Sequence, residues 1–372
     1  MEERTIMAHK NSRKRRKKAS WLPLALMILM LACGVTLIAF IVTTLTEDAP
    51  SLPETTGGSI TTEAPDVTTV PQTDPPVTTV PEETEPQPTE DPVPEMTATM
   101  AVVADGPSGR ILYTRGDLHV KVYPASVTKL FTAFVALQHL QPDDPCTAGE
   151  ELSLVGEGSS MAWIYKGQTV TAEMAVQGML MNSGNDAAYI LAAAAGRKIA
   201  GDENLGAAEA VKVFVQEMNT QAAALGLADS HFCNPDGYHD DNHYTSLNDL
   251  VVIGQLSMVN DTIRKYAAMP EGDVVYKSGQ TNHWINTNSL LHKESPFYEP
   301  SAVGLKTGHT SGAGYCLLSA FRRDEGYTIV GVFGSASYDH RFRDTLLLGN
   351  AFLDLGWEEP VPEETTAPTE TE

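Results

Sequence analysis

Tyr123-Pro124-Ala125-Ser126-Val127-Thr128-Lys129 opens the strongest helical pattern in the chain. Val127, Leu130, Phe131, Phe134, Val135 and Leu137 fall at helical spacing, so a well-buried helix is expected from Ser126 to His139. Pro124 suits the approach to a helix start, where its missing N–H costs nothing. Ser126 then lies in the first turn, where free backbone N–H groups favour negative charge. Lys129 follows three residues later on the same helix face. A lysine beside a serine hydroxyl becomes a base only if burial lowers its proton affinity, and this apolar helix offers burial. Taken alone, the pair is equally a helix cap with a surface lysine.

Working outward, Met100-Ala101-Val102-Val103 and Ile111-Leu112-Tyr113 flank the turn-forming Gly106-Pro107-Ser108-Gly109, which reads as a hairpin. Thr171–Ala195 and Asn204–Leu225 are rich in helix formers. Tyr315–Arg323 and Tyr327–Phe333 flank Asp324-Glu325-Gly326 as a second hairpin, and Arg341–Leu355 reads as a closing helix. Strands at both ends with helices between predict an α+β domain: an antiparallel sheet flanked by helices, with a helical lobe.

Two further motifs stand in this frame. Ser183-Gly184-Asn185 follows the apolar Met179-Leu180-Met181 and precedes another helical run, so Ser183 and Asn185 can point into one cleft from an inter-helix turn. Such residues are also common in plain turns. Lys306-Thr307-Gly308 starts a strand; alternation places Lys306 and Gly308 on one face and Thr307 on the other. A glycine at 308 lets another backbone or a ligand approach closely, although an edge strand with a protective lysine reads the same way.

The order Ser-x-x-Lys, Ser-x-Asn, Lys-Thr-Gly raises the odds beyond any single match. It resembles the D-alanyl-D-alanine carboxypeptidases, the low-molecular-mass penicillin-binding proteins, over about Met100–Trp357. Asn185-Asp186-Ala187-Ala188, Asn234-Pro235-Asp236-Gly237 and Gly304-Leu305-Lys306-Thr307-Gly308-His309-Thr310 add to the likeness. The resemblance implies a β-lactamase/DD-peptidase-like fold. It implies Ser126 as acylated nucleophile, Lys129 as its base, and Ser183 as proton relay to the leaving D-alanine. Asn185 would orient Lys129 or bind the substrate amide. Lys306 and Thr307 would meet the substrate carboxylate, and the backbone N–H groups of Ser126 and His309 would form the oxyanion hole. Arg341 is a weaker carboxylate-binding candidate by position, and equally a surface arginine on the last helix. Peptidoglycan stem peptides would be the substrate and β-lactam antibiotics covalent inhibitors, with no metal and no cofactor.

The rest of the chain is of a different kind. Acidic residues outnumber basic ones 48 to 25, for a net charge of −23, which argues against a nucleic-acid partner. Residues 1–20 hold the basic block Arg13–Lys18 and are expected in the cytoplasm; 21–45 are apolar and uncharged, long enough for a transmembrane anchor. Residues 46–97 are Thr, Pro and Glu-rich, with 12 acids and no base, and read as a disordered linker. That leaves 98–357 as the catalytic domain and 358–372 as a disordered acidic tail, with the domain placed outside the cell.

His231, His239 and His243, near Asp236, Asp240 and Asp241, lack the helical spacing of a zinc site. Cys146, Cys233 and Cys316 read mainly as small buried hydrophobes, with one disulfide a lesser option. A β-lactamase, a DD-endopeptidase and a silent wall-binding module share the same motifs. The first would need a glutamate-activated water, and no Glu-centred loop stands out between Asn185 and Lys306.

Overall fold

A computed structural model describes residues 91–93 and 95–360. The expected cytoplasmic segment, the anchor, most of the linker and most of the acidic tail lie outside the described residues. Among the described residues, no helix is long and apolar enough to cross a membrane.

The first hairpin forms as expected, β1 (Met100–Asp105) with β2 (Ile111–Arg115). Near the other end β7 (Ala302–Thr310), β8 (Gly314–Arg322) and β9 (Tyr327–Ser335) make a meander. The two groups join through β1 and β9 into one antiparallel sheet of order β2-β1-β9-β8-β7, with Val102 opposite Gly331. Because both faces are covered, the strand residues are buried without alternating polarity. Ala101, Val103, Leu317, Phe321 and Val332 share one core with Phe342 and Leu346 of the closing helix α7 (His340–Leu353). Val102, Leu318, Ala320 and Ile329 belong to a second, larger core with the other helices.

Those helices are α1 (Thr128–His139), α2 (Ala172–Met181), α3 (Asn185–Ala200), α4 (Ala207–Ala224), α5 (Leu247–Val259) and α6 (Asp261–Ala267). Residues 171–195 are therefore two helices, separated where Ser183 takes a left-handed φ of 55°. α1 begins at Thr128, because Ala125–Val127 form a 3₁₀ turn ahead of it. The two-stranded pair β3–β4 (Pro145–Thr147, Thr169–Thr171) and the hairpin β5–β6 (Glu271–Val275, Thr281–Ile285) complete the helical lobe.

Packing starts ahead of the boundary expected at residue 98. Val93, Met96 and Ala98 are buried against the α7 side of the sheet. The buried Asp344 carboxylate in α7 accepts from Thr97 N at 3.0 Å, Ala98 N at 2.8 Å and Ser335 Oγ at 2.7 Å. One carboxylate thus ties the entry of β1 to the end of β9.

Candidate active site

The cleft lies where α1, the turn before α3 and β7 converge, and its volume is about 640 Å³. Ser126, Ser183, Asn185, Thr307 and His309 line it, so five of the seven residues singled out in the sequence share one cavity. Lys129 and Lys306 stand behind them, fully buried.

Close backbone contact sets the Ser126 turn. Ala125, just before it, has φ of 47°, unusual for a residue with a side chain. Two glycines make room for this turn. A Cβ on Gly237 would fall 1.8 Å from Ala125 O, and one on Gly308 would fall 2.9 Å from Pro124 O and 3.2 Å from Ser126 N. Gly308→Ala is therefore expected to push β7 away from Ser126. Losing one donor of an oxyanion hole costs about 100–1,000-fold in rate, and acylation of the variant should fall into that range. Acylation within threefold of the parent would refute the assignment.

Lys129 Nζ sits 2.8 Å from Ser126 Oγ and donates to the backbone O of Asp236 at 2.7 Å. Burial lowers its pKa from the ordinary 10.5 to about 8, against the opposing charges of Asp236 and Asp186. The neutral fraction near pH 7 rises about 300-fold as a result. The sequence offered a buried base or a surface lysine, and the side chain is buried.

Ser183 is held in its left-handed turn at the cleft wall. Asn185, first residue of α3, is not bonded to Lys129. Its Nδ2 donates to Ser159 Oγ at 2.8 Å, and its buried Oδ1 has no partner. The next residue, Asp186, is buried and accepts from Ala162 N at 2.7 Å and Ile164 N at 2.9 Å. It clamps to α3 the loop that brings Ser159 and Ser160 to the cleft.

β7 is an edge strand, yet Lys306 does not protect an open edge. The Ser126 turn and α6 pack against it, and Lys306 Nζ contacts Thr307 O at 3.1 Å and Thr307 Oγ1 at 3.3 Å. Burial, with Lys129 and Arg341 nearby, holds its pKa well below the usual lysine range. Thr307 Oγ1 pairs with Thr287 Oγ1 at 2.6 Å. His309 is largely exposed and stacked on Tyr315 with centroids 4.1 Å apart, and partial desolvation of its ring, with Arg341 nearby, lowers its pKa.

Arg341, the weaker candidate, is not a surface arginine. In α7 it is 4% exposed and lines the cleft. Its Nη1 donates to Gly308 O at 3.3 Å and the Tyr338 ring lies 4.2 Å from Cζ, while Nε has no partner. Among the described residues no carboxylate pairs with it. A buried guanidinium without a counter-ion is poised for an anion from outside the chain.

The histidine and cysteine stretch is occupied structurally. His243 Nδ1 accepts from Cys233 N at 3.1 Å and Nε2 meets Thr128 Oγ1 at 2.8 Å, and burial drives its pKa down to about 3. Cys146, Cys233 and Cys316 are free thiols, and burial pushes Cys146 and Cys316 up to about 12.

A family model described as D-alanyl-D-alanine carboxypeptidase matches residues 85–337. The chain belongs to that family. Within this carboxypeptidase family, DacF of Bacillus subtilis is 28% identical over 250 residues, which are 66% of this chain and 59% of DacF. The chain thus spans about three-fifths of the length of that curated relative. The crystal structure of the Streptomyces K15 DD-transpeptidase superposes with a TM-score of 0.62 at 29% identity, covering 70% of this chain and 98% of that one. Penicillin-binding protein D2 of Listeria monocytogenes in its ampicillin-bound form gives 0.56 at 25% identity, covering 69% and 97%. The α+β fold of the described domain is therefore the one these DD-peptidases share.

Ser159, Thr287, Tyr238 and Tyr338 also line the cleft of this family member and were not singled out in the sequence. None carries a motif of its own. The clamp residue Asp186 did stand in a quoted motif, beside Asn185.

Proposed function

We propose that this chain is a serine D-Ala-D-Ala carboxypeptidase that removes the terminal D-alanine from peptidoglycan stem pentapeptides. The observation that carries the reading is the 2.8 Å contact between Ser126 Oγ and a buried lysine nitrogen, in a cleft that also presents an unpaired guanidinium. Neutral Lys129 takes the Ser126 proton as Oγ attacks the carbonyl of the penultimate D-alanine. The N–H groups of Ser126 and His309 receive the oxyanion, and Ser183 passes a proton to the leaving amine. Water then hydrolyses the acyl-enzyme. Asn185, through its open Oδ1, and Thr307 hold the substrate backbone.

Arg341 takes the terminal carboxylate and Lys306 adds positive field from behind Thr307. This divides the carboxylate role assigned to Lys306 by resemblance, since its nitrogen faces Thr307 and does not line the cleft. A β-lactam acylates the same serine, but its leaving amine stays tethered by the opened ring, so the adduct persists. The apolar 21–45 segment would anchor the domain to the cell membrane with the cleft on the outer side, facing the wall.

Following product mass with a stem pentapeptide tests the activity: loss of one alanine supports it, and an intact peptide rejects it. Arg341→Ala tests the carboxylate end. Hydrogen bonds to charged groups contribute about 1.5–3 kcal/mol, so kcat/KM for the free acid should fall about 10–100-fold. The parent should itself discriminate against the C-terminal amide, and the variant should not. Equal loss on acid and amide would exclude Arg341 as the carboxylate partner.

A further inference from the structure

Asn234-Pro235-Asp236-Gly237 passes behind the cleft and carries an ionisable group that no step above employs. Asp236 is 1% exposed. Its Oδ1 accepts from Tyr238 N at 3.1 Å, and its Oδ2 is buried without a partner. The segment is fixed on several sides. Thr132 Oγ1 donates to Pro235 O at 2.7 Å, Gly237 N donates to Asn234 Oδ1 at 2.8 Å, and the backbone O of Asp236 holds Lys129 Nζ at 2.7 Å.

A buried carboxylate with an idle oxygen is costly unless a cation stands nearby. The ionisable groups around it come from three elements. α1 supplies Lys129, the only cation among the groups that act on it. α3 supplies Tyr189, which feels the Asp236 charge, and Asp186, whose oxygens are engaged by the amides of Ala162 and Ile164. β7 supplies Lys306, whose nitrogen is turned to Thr307. His243, in the stretch after the Asp236 loop, is committed to Thr128 and Cys233. Of the two carboxylates that act on Lys129, Asp236 is the one with an oxygen to spare.

We infer that Asp236 is a positioning residue for the base: its buried carboxylate holds positive charge on Lys129 Nζ and so fixes the pH at which that nitrogen is free to take the Ser126 proton. The inference rests on the reading of Lys129 as base. The electrostatics agree with the geometry. Burial draws Lys129 down, and Asp236 is the foremost charge opposing it. In turn, burial raises the pKa of the Asp236 carboxyl, and the Lys129 charge opposes that rise. The segment therefore supplies two separable things, a carbonyl that places the nitrogen and a carboxylate that sets its charge.

The test uses the full chain and measures acylation of Ser126 by a fluorescent penicillin against pH, for the parent and Asp236→Asn. Removing a nearby opposite charge moves a pKa by about one unit or more. The acid limb of the variant should therefore move about one unit toward lower pH, with its plateau within about tenfold of the parent. A lower plateau with the limb unmoved would mean a structural role alone and would overturn the inference. A second reading needs no variant: the carbon-13 resonance of the Asp236 carboxyl, followed in the parent. It should report an ionised group throughout the limb, and a carboxyl still protonated there overturns the inference even if Asp236→Asn fails to fold. A parent that takes no penicillin at any pH fails the proposed function instead, and the carboxyl is then read against the Lys129 pKa of about 8: ionised below it supports the inference, still protonated there overturns it.

Discussion

Replacing Ser126 by alanine should remove both peptide cleavage and covalent penicillin labelling. Among the described residues the other buried lysine beside a cleft hydroxyl, Lys306, stands 3.3 Å from Thr307 Oγ1, against 2.8 Å for Lys129 and Ser126 Oγ, so Ser126 is the hydroxyl best placed to be deprotonated. In hydrolases that use a serine and base as a unit, removing the nucleophile costs about a million-fold in kcat, with residual rate from binding and oxyanion stabilisation alone. The variant should fold as the parent does, because Ser126 is only half-buried and its Oγ makes one hydrogen bond, to Lys129. The checks are fluorescent penicillin on a denaturing gel and the thermal midpoint of both proteins. Labelling retained by Ser126→Ala would transfer the nucleophile to another residue.

Lys129→Ala should also lose most of the activity, though less than Ser126→Ala, through the base. Positioned acid–base groups contribute about 100–10,000-fold, so acylation should fall by that range while noncovalent binding of peptide persists. The pH profile of the parent distinguishes this role from a packing defect. The active form is the neutral amine, and the side chain loses its proton near pH 8. Acylation should thus rise with pH, about tenfold per unit below 8, and level off above it. Were Lys129 needed only as a cation, the rate would fall as pH climbs through 8. In the alanine variant this limb should be absent and the residual rate flat across the same range.

Much of this site could be read from local sequence. The start of α1 was legible because Pro124 and an apolar stripe at helical spacing act within one turn. The Ser183 turn was legible because helix formers stop on either side of it. The glycine at 308 announced a close approach, and the partner proved to be the Pro124–Ser126 backbone. What local sequence did not carry are contacts between distant segments. Lys129 is held by a carbonyl 107 residues away. The aromatic surround that buries Arg341 combines Tyr338 and Phe342 of its own neighbourhood with Tyr315 of β8. Alternation on β7 separated Lys306 from Thr307, but the lysine chain is long enough to reach back to the threonine carbonyl.

The same logic accounts for the elements that went unread. α5, Leu247–Val259, is apolar around most of its circumference and buried on several sides, so it lacks the polar stripe that marks a surface helix. β5 and β6 bury only Val274 and Trp284 among ten residues, too little alternation to announce a hairpin. Trp284 is nevertheless what makes that hairpin part of the site. Its Nε1 donates to Ala162 O at 2.9 Å, on the loop that Asp186 clamps to α3.

Covalent adduct mapping tests the central claim most directly. The full chain is incubated with a penicillin, digested, and the added mass located by fragmentation. The account predicts one adduct, on Ser126, absent after heat denaturation and absent in Ser126→Ala. An adduct on Ser159, Ser160 or Ser183, or a folded chain that acquires none, would contradict it.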